Sequence, residues 1–455
     1  MTAIAPSLQC FHATSDAALV QSRNVSANAK VLSPHLAVSE RISIPVVALQ
    51  TAAWRILARQ YQHSDWREQY EFIGGFYMRV VVIGSGIVGS SAAYECAKAG
   101  ANVVVLEAGR IAGGTSAVSF AWTNATTKRP RPYFDLNVAG MRAHLELKRD
   151  FGAAPWFTQT GSFDWRTAPE AMDDYFENYR QMKEWGYGVE WIDKKLVAEM
   201  EPDIDVSAVG DGPISYYPEE GWVDPVLYSA WLLRAAKERW GTQVNVSSRV
   251  TEIETEGGRA KAVRTANGER YAADAVVNCT GGWSSQKLGD AQGIPLSSTI
   301  GVLAFTPPVA LTLRSQLHAD DLDIRPDGAG RIMIHKVSVD LTLKKPETLS
   351  LTGDEAATLL EAASKVLPSL HSAGVEAIRT TVRPFPGDGY TCAGPMPDIP
   401  GHYMAVTHSG VTIGPQLGRV VADEVVRGKI HEEMETFRPQ RFFQANAQRS
   451  GVAHA

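Results

Sequence analysis

Gly84, Gly86 and Gly89 stand as GxGxxG between the apolar run RVVVI and the helix-like stretch SSAAYECAKAG. In such a turn the first glycine makes the tight bend, the second lets a pyrophosphate approach the backbone, and the third lets helix and strand pack closely. The helix N-terminus then offers free N–H groups and a positive dipole end to a diphosphate. Glu107 lies 23 residues after Gly84, at the end of a second apolar run, ANVVVLE, where a carboxylate can hold ribose hydroxyls. A bare GxGxxG is weak evidence and is often a structural turn; strand, helix and acid together point to a dinucleotide. Past the acid, AGRIAGGTS supplies a second glycine-rich loop with Gly113, Gly114, Thr115 and Ser116. Backbone donors there suit an extended FAD better than NAD.

The elements that position these residues are legible from pattern. RVVVIG reads as a buried parallel strand. SSAAYECAKAG is a helix with Gly100 at its C′ position, and ANVVVLE is the next strand. YFDLNVAGMRAHLELKRDFG and MDDYFENYRQMKEWG read as helices. Asp224 and Pro225 are the N-cap and first position of another, running through WLLRAAKERWG. VLAFTPPVALTLR and GRIMIHKVSVDLTLK read as antiparallel strands of a second domain, and DEAATLLEAASKVLPSL as a helix. HYMAVTH is a last strand, leading into a turn and a helix that starts near Ile413.

A chain of 455 residues exceeds one compact core and suits two intimate domains or three small ones. Its net charge of -6 gives no nucleic-acid footprint. The four cysteines, Cys10, Cys96, Cys279 and Cys392, are far apart, so neither a disulfide framework nor a metal site is expected. No apolar window approaches a membrane span. A cytoplasmic protein is expected, with peripheral contact on the inner face of the membrane left open.

The stretch GSGIVGSSAAYECAKAGANVVVLEAGRIAGGTS resembles the opening of the D-amino-acid oxidase-like FAD oxidoreductases, which include D-amino-acid dehydrogenases, glycine oxidase and sarcosine oxidases. VNCTGGWSS, RTTVRPFPGDGYTCAGPMPDIPGHYMAV and THSGVTIGPQLGR resemble later segments of that superfamily, over residues 78 to about 430. The resemblance implies an α/β chain: a Rossmann-like FAD-binding domain with an interleaved α+β substrate domain built on an antiparallel sheet. It implies that Gly84, Ser85, Gly86, Ile87, Val88 and Gly89, with Glu107 and Ala108, hold the ADP half of a non-covalent FAD. Gly114, Thr115 and Ser116 would lie near the diphosphate or ribityl chain, and Val250 would contact adenine through its backbone. Thr280 and Gly281 would lie beside the cofactor, and Gly410, Val411 and Thr412 would flank the flavin pyrimidine. A helix pointing its positive end there suits the charge that gathers on reduction.

Arg383, in VRPFP, matches the family arginine for a substrate carboxylate, and its guanidinium fork suits bidentate binding. A structural ion pair is the alternative. Cys392 falls several residues past the Arg-Pro pair, which argues against a covalent flavin. His408 reads as a turn residue or one supporting the site rather than a base, His335 and Tyr403 as strand packing with a pocket role as the less favoured alternative, and Trp122, Trp222 and Trp283 as core rather than an aromatic cage. Lys128, Arg129 and Arg131 read as a solvated loop, with contact to a second anionic group on the substrate as the less favoured alternative. The activity implied is oxidation of a C–N bond in an amino acid or N-substituted amino acid, by hydride transfer to flavin N5 and hydrolysis of the imine. The electron acceptor is oxygen or a quinone, and a homo-oligomer or heteromeric complex is left open. The alternatives are a same-fold dehydrogenase acting on a hydroxy acid or glycerol phosphate, and a non-catalytic flavoprotein subunit.

The expected segments are a leader over 1–77, cofactor-domain pieces at 78–155, 221–293 and 376–435, substrate-domain pieces at 156–220 and 294–375, and a tail at 436–455. Met78 sits one residue ahead of the first β-branched run, and GGFY precedes it. Two glycine codons can read as a ribosome-binding site, so the leader is expected to be dispensable or translated from a misassigned start. N-terminal mass spectrometry of the native protein tests this, and a mature chain beginning well before Met78 contradicts it.

Overall fold

The structure is a computed structural model and describes residues 77–443. The leader therefore lies, up to residue 76, outside the described residues.

The first sheet has six strands: β1 (Arg79–Ile83), β2 (Asn102–Leu106), β3 (Gln243–Asn245), β4 (Ala275–Asn278), β5 (Cys392–Pro395) and β6 (His402–Val406), in the spatial order β5-β6-β4-β1-β2-β3. All pairings are parallel except β5 with β6. β1 is an unbroken apolar run because both faces are covered. Val80 and Val82 pack into a cluster with helices α1 (Ile87–Lys98), α2 (Arg131–Phe151), α3 (Pro225–Trp240) and α4 (Gly410–Val425). Val81 and Ile83 face a cluster containing Val250, Ile253 and Val263 from a three-stranded antiparallel sheet.

Helix ends follow local chemistry. Asp224 Oδ1 accepts from the amides of Val226 and Leu227 at 3.0 and 2.9 Å, and Pro225 opens α3. Gly100, at φ 98°, follows the end of α1. α4 starts at Gly410, earlier than expected, because the Ser409 carbonyl already accepts from Ile413 N at 3.0 Å. Gly410, Val411 and Thr412 are thus the first turn of the helix.

The second sheet has eight strands and is mostly antiparallel, with Gln316–Ala319 running parallel to Ser162–Trp165. Two expected strands are shorter than the alternation suggests. Leu296–Phe305 stops before Pro307 and Pro308, and VALTLR forms no strand. Ile332–Lys336 gives way to a short helix, Val337–Asp340, which turns Asp340 inward to accept from Val302 N at 2.7 Å. Strand Ala377–Pro386, at the start of the expected third cofactor segment, instead pairs along its whole length with Leu296–Phe305 in the second sheet. Beyond residue 435, Phe437 is buried and Arg438 pairs with Glu424 at 2.6 Å.

Candidate functional site

The two sheets share one cavity of about 690 Å³. At one end lie the glycine turn and Glu107. Gly84 takes φ 100°, and a Cβ there would stand 2.6 Å from the Cys279 carbonyl oxygen. A Cβ on Gly89 would stand 2.1 Å from the Gly84 oxygen, so Gly89 is the contact that lets α1 approach the turn and does not itself line the cavity. No side chain caps α1, although Ile87 N donates to Ser116 Oγ at 3.1 Å. The carboxylate of Glu107 accepts from Ser85 N, Ser85 Oγ and Gly109 N at 2.8 to 2.9 Å, which fixes it beside the turn.

Ser85, Gly86, Ile87, Val88, Ala108, Gly114, Thr115, Ser116, Val250, Thr280, Gly281, Gly410, Val411 and Thr412, expected to contact a cofactor, all line this cavity with Gly84, Glu107 and Arg383. Thr115 Oγ1 donates to the Val382 carbonyl at 2.8 Å, tying the second glycine loop to the strand that carries Arg383. Cys392 is buried outside the lining.

The model of the DAO FAD dependent oxidoreductases matches residues 79–424. The chain belongs to that family. This FAD oxidoreductase is 26% identical over 372 residues to a glycine oxidase of Geobacillus kaustophilus, spanning 79% of this chain and 95% of the relative. The crystal structure of glycine oxidase from that organism superposes with a TM-score of 0.69 at 24% identity, covering 80% of this chain and 99% of the other. An L-proline dehydrogenase from P. horikoshii superposes with a TM-score of 0.71 at 21% identity, covering 81% and 98%. These two likenesses show the fold. The cradle fits FAD: backbone bare of side chains where Gly84 and Gly86 line the cavity, a helix start with no side-chain cap, and an acid beside them.

The other end of the FAD oxidoreductase cavity is ionic. Arg383 reaches it, but part of its fork is occupied. Nε and Nη2 donate to the Ile300 carbonyl at 3.3 and 3.1 Å, and Nη2 also meets Asp340. Nη1 makes no hydrogen bond among the described residues and is the edge left for a ligand. Asp340 faces His335 Nε2 at 2.9 Å, and Asp323 faces His335 Nδ1 at 2.7 Å. Carboxylates facing both ring nitrogens favour a ring that carries hydrogen on both, an imidazolium. Burial alone would lower its pKa, but the hydrogen bonds to Asp323 and Asp340 outweigh it and raise the value to about 9. Asp323, which also meets His318 Nδ1 at 2.6 Å, is disfavoured as an anion by burial, yet the two histidines hold it well below the usual carboxylate range.

Several expectations need correcting here. His335 lines the cavity and is more than strand packing. Trp122 also lines it and stacks on His318 at 3.8 Å, and Trp283 lines it while 56% exposed, so neither is simply core. Trp222 lies outside the lining and packs against Arg325. Tyr403 is a packing residue, its hydroxyl donating to Glu424 at 2.7 Å. The basic loop divides: Arg129 and Arg131 are exposed and bond Gln181 and Asp135, whereas Lys128 lines the cavity. His408 also lines it, stacked on Phe385 at 3.7 Å. Burial, then the charges of Lys128, Arg383 and His335, hold its imidazole well below the ordinary pKa. It is neutral and a weak base.

Glu220 had no signal in the sequence. It is wholly buried and accepts from Trp122 Nε1, Ser162 Oγ, Thr126 Oγ1 and Tyr187 at 2.5 to 2.8 Å. Through Trp122 and Thr126 it braces the loop that forms one cavity wall. Asp323, Asp340 and Glu220 lie in three separate segments and carry no motif, and only tertiary pairing shows their use.

Proposed function

We propose that the protein oxidises a C–N bond of an amino acid or N-substituted amino acid, with Arg383 taking the substrate carboxylate. The observation that carries this reading is the continuity of the cavity from the dinucleotide turn to the unbonded Nη1 edge of Arg383. FAD, when bound, would supply a hydride acceptor for the substrate carbon. The residues of this chain supply the rest. Arg383 binds the carboxylate by charge-assisted hydrogen bonds, and Asp340 and the Ile300 carbonyl hold its guanidinium in place. Trp122 and Phe120 wall the substrate end and limit water. Neither histidine at this end is a strong base: His335 is already protonated, and burial with the charges of Lys128, Arg383 and His335 holds His408 well below its ordinary pKa. A substrate amine that binds neutral needs none, and the imine product hydrolyses in water.

The α4 N-terminus at Gly410–Thr412 supports the same reading, since a positive dipole end there favours a reduced, anionic flavin. Oxygen or a quinone is the proposed acceptor. The test is an anaerobic screen in which D- and L-amino acids, sarcosine, proline derivatives and opine-like secondary amines are mixed with the yellow protein. Bleaching by an amine is the expected result. Bleaching only by hydroxy acids, or by nothing, contradicts it.

A further inference from the structure

Lys128 is the cation at the substrate end that the protein leaves without a partner. Arg383 has Asp340, and His335 has Asp323 and Asp340. The Lys128 ammonium makes no ion pair and no hydrogen bond among the described residues, although the side chain is part-buried and lines the cavity. Burial lowers its pKa, and the only charge that offsets this is Glu220, whose oxygens are already taken by four donors. An ammonium drawn out of water in this way costs free energy unless an anion meets it.

The loop that carries it is held firmly. Asn124 N donates to Thr412 Oγ1 at 3.3 Å, Ala125 N to the Tyr187 hydroxyl at 3.0 Å, and Thr126 Oγ1 to Glu220 at 2.6 Å. The next residue, Thr127, sits at φ 62°, a conformation disfavoured for a β-branched residue and retained only where the surroundings enforce it. That bend delivers Lys128 to the cavity while Arg129 turns to the surface. Lys128 lines the same cavity as Arg383, His335 and His408, and the three positive charges all act on His408. Arg110 and Arg249, the other arginines of the lining, are exposed and adjoin Glu107 and Val250 at the far end.

We propose that Lys128 binds a second acidic group of the substrate, distinct from the carboxylate at Arg383, so that the site selects amines carrying two carboxylates. This rests on the amine-oxidation reading for the first carboxylate.

The test uses the FAD-loaded full chain and two achiral pairs: succinate against propionate as ligands perturbing the flavin spectrum, and iminodiacetate against sarcosine as anaerobic reductants. The wild type is expected to favour the diacid by about tenfold or more in both, the scale of one charge-assisted contact. Lys128→Met and Lys128→Gln are expected to abolish the preference, Lys128→Arg to keep most of it, and Arg129→Ala to leave it unchanged, with flavin content and thermal midpoint confirming folding. A wild type without the preference, or a Lys128→Gln protein that keeps it, overturns the proposal. So does a Lys128→Gln variant whose flavin potential shifts while the diacid preference stays. If succinate binding depends on Lys128 but no amine bleaches the flavin, the anion site stands and amine oxidation falls.

Discussion

At the scale of single residues, the substrate end is a set of charges that hold one another in place. Arg383 is the proposed ligand for the substrate carboxylate and also the partner of a buried acid, Asp340, so its replacement acts twice. Arg383→Met is expected to lower the rate of flavin reduction by carboxylated amines at sub-saturating concentration by about 100-fold, or about 3 kcal/mol. Stopped-flow absorbance measures it, and unchanged reduction would remove Arg383 from the site. Glu220 acts differently, because it touches no ligand. Glu220→Gln presents an amide N–H₂ to groups that all donate, and an expected loss of about 2–3 kcal/mol in stability follows from unsatisfied buried donors. Urea unfolding measures it, and a Glu220→Gln protein as stable as the wild type would show that the four donors find other acceptors.

At the scale of elements, close backbone approach sets how the helices meet the cofactor turn. α1 reaches it only because Gly89 leaves no room for a Cβ against the Gly84 oxygen. α2 touches the first turn of α4 through Gly140, where a Cβ would stand 2.4 Å from the Thr412 oxygen. Gly89→Ala is expected to yield protein without bound flavin. Gly140→Ala is expected to fold but to push the α4 N-terminus aside, lowering flavin occupancy and shifting the flavin potential. Absorbance of the purified protein and a redox titration separate the two cases. A Gly140→Ala protein with wild-type occupancy and potential would mean that α4 tolerates the shift.

At the scale of the whole molecule, the ionic chain from Arg383 through Asp340 and His335 to Asp323 links strands of the second sheet around the cavity. His335 has a folded pKa raised to about 9, against about 6.5 in an unfolded chain. Its stabilising contribution is complete below about pH 6.5 and is lost as the pH rises through about 9. Asp323 has the opposite sign: its contribution is present above the ordinary carboxylate range and is lost only in acid, below that range. The thermal midpoint is therefore expected to fall between pH 7 and 9, and a His335→Gln protein to lose much of that slope. Identical slopes in the two proteins would mean that His335 is not an imidazolium in the folded state.

The dinucleotide-turn end of the cavity was legible along the chain. GxGxxG, Glu107 and the second glycine loop are adjacent along the chain, so their spacing carries the geometry. The parallel run of β1 and β2 follows from unbroken β-branched stretches covered on both faces. The substrate half was legible only in part. Arg383 was visible through its motif, but not its partner, because Asp340 lies 43 residues away in a segment that reads as strand. The alternation in GRIMIHKVSVDLTLK suggests a continued strand, and the short helix at Val337–Asp340 replaces it where Asp340 must face Val302, His335 and Arg383. Lys128 and Arg129 are neighbours of similar type, and a bend at Thr127 sends one to the cavity and the other to solvent. Charge pairing across the sheet, and the burial that makes an unpaired charge costly, are properties of the folded chain, so the pairing at the ionic end of the cavity is invisible in the order of residues alone.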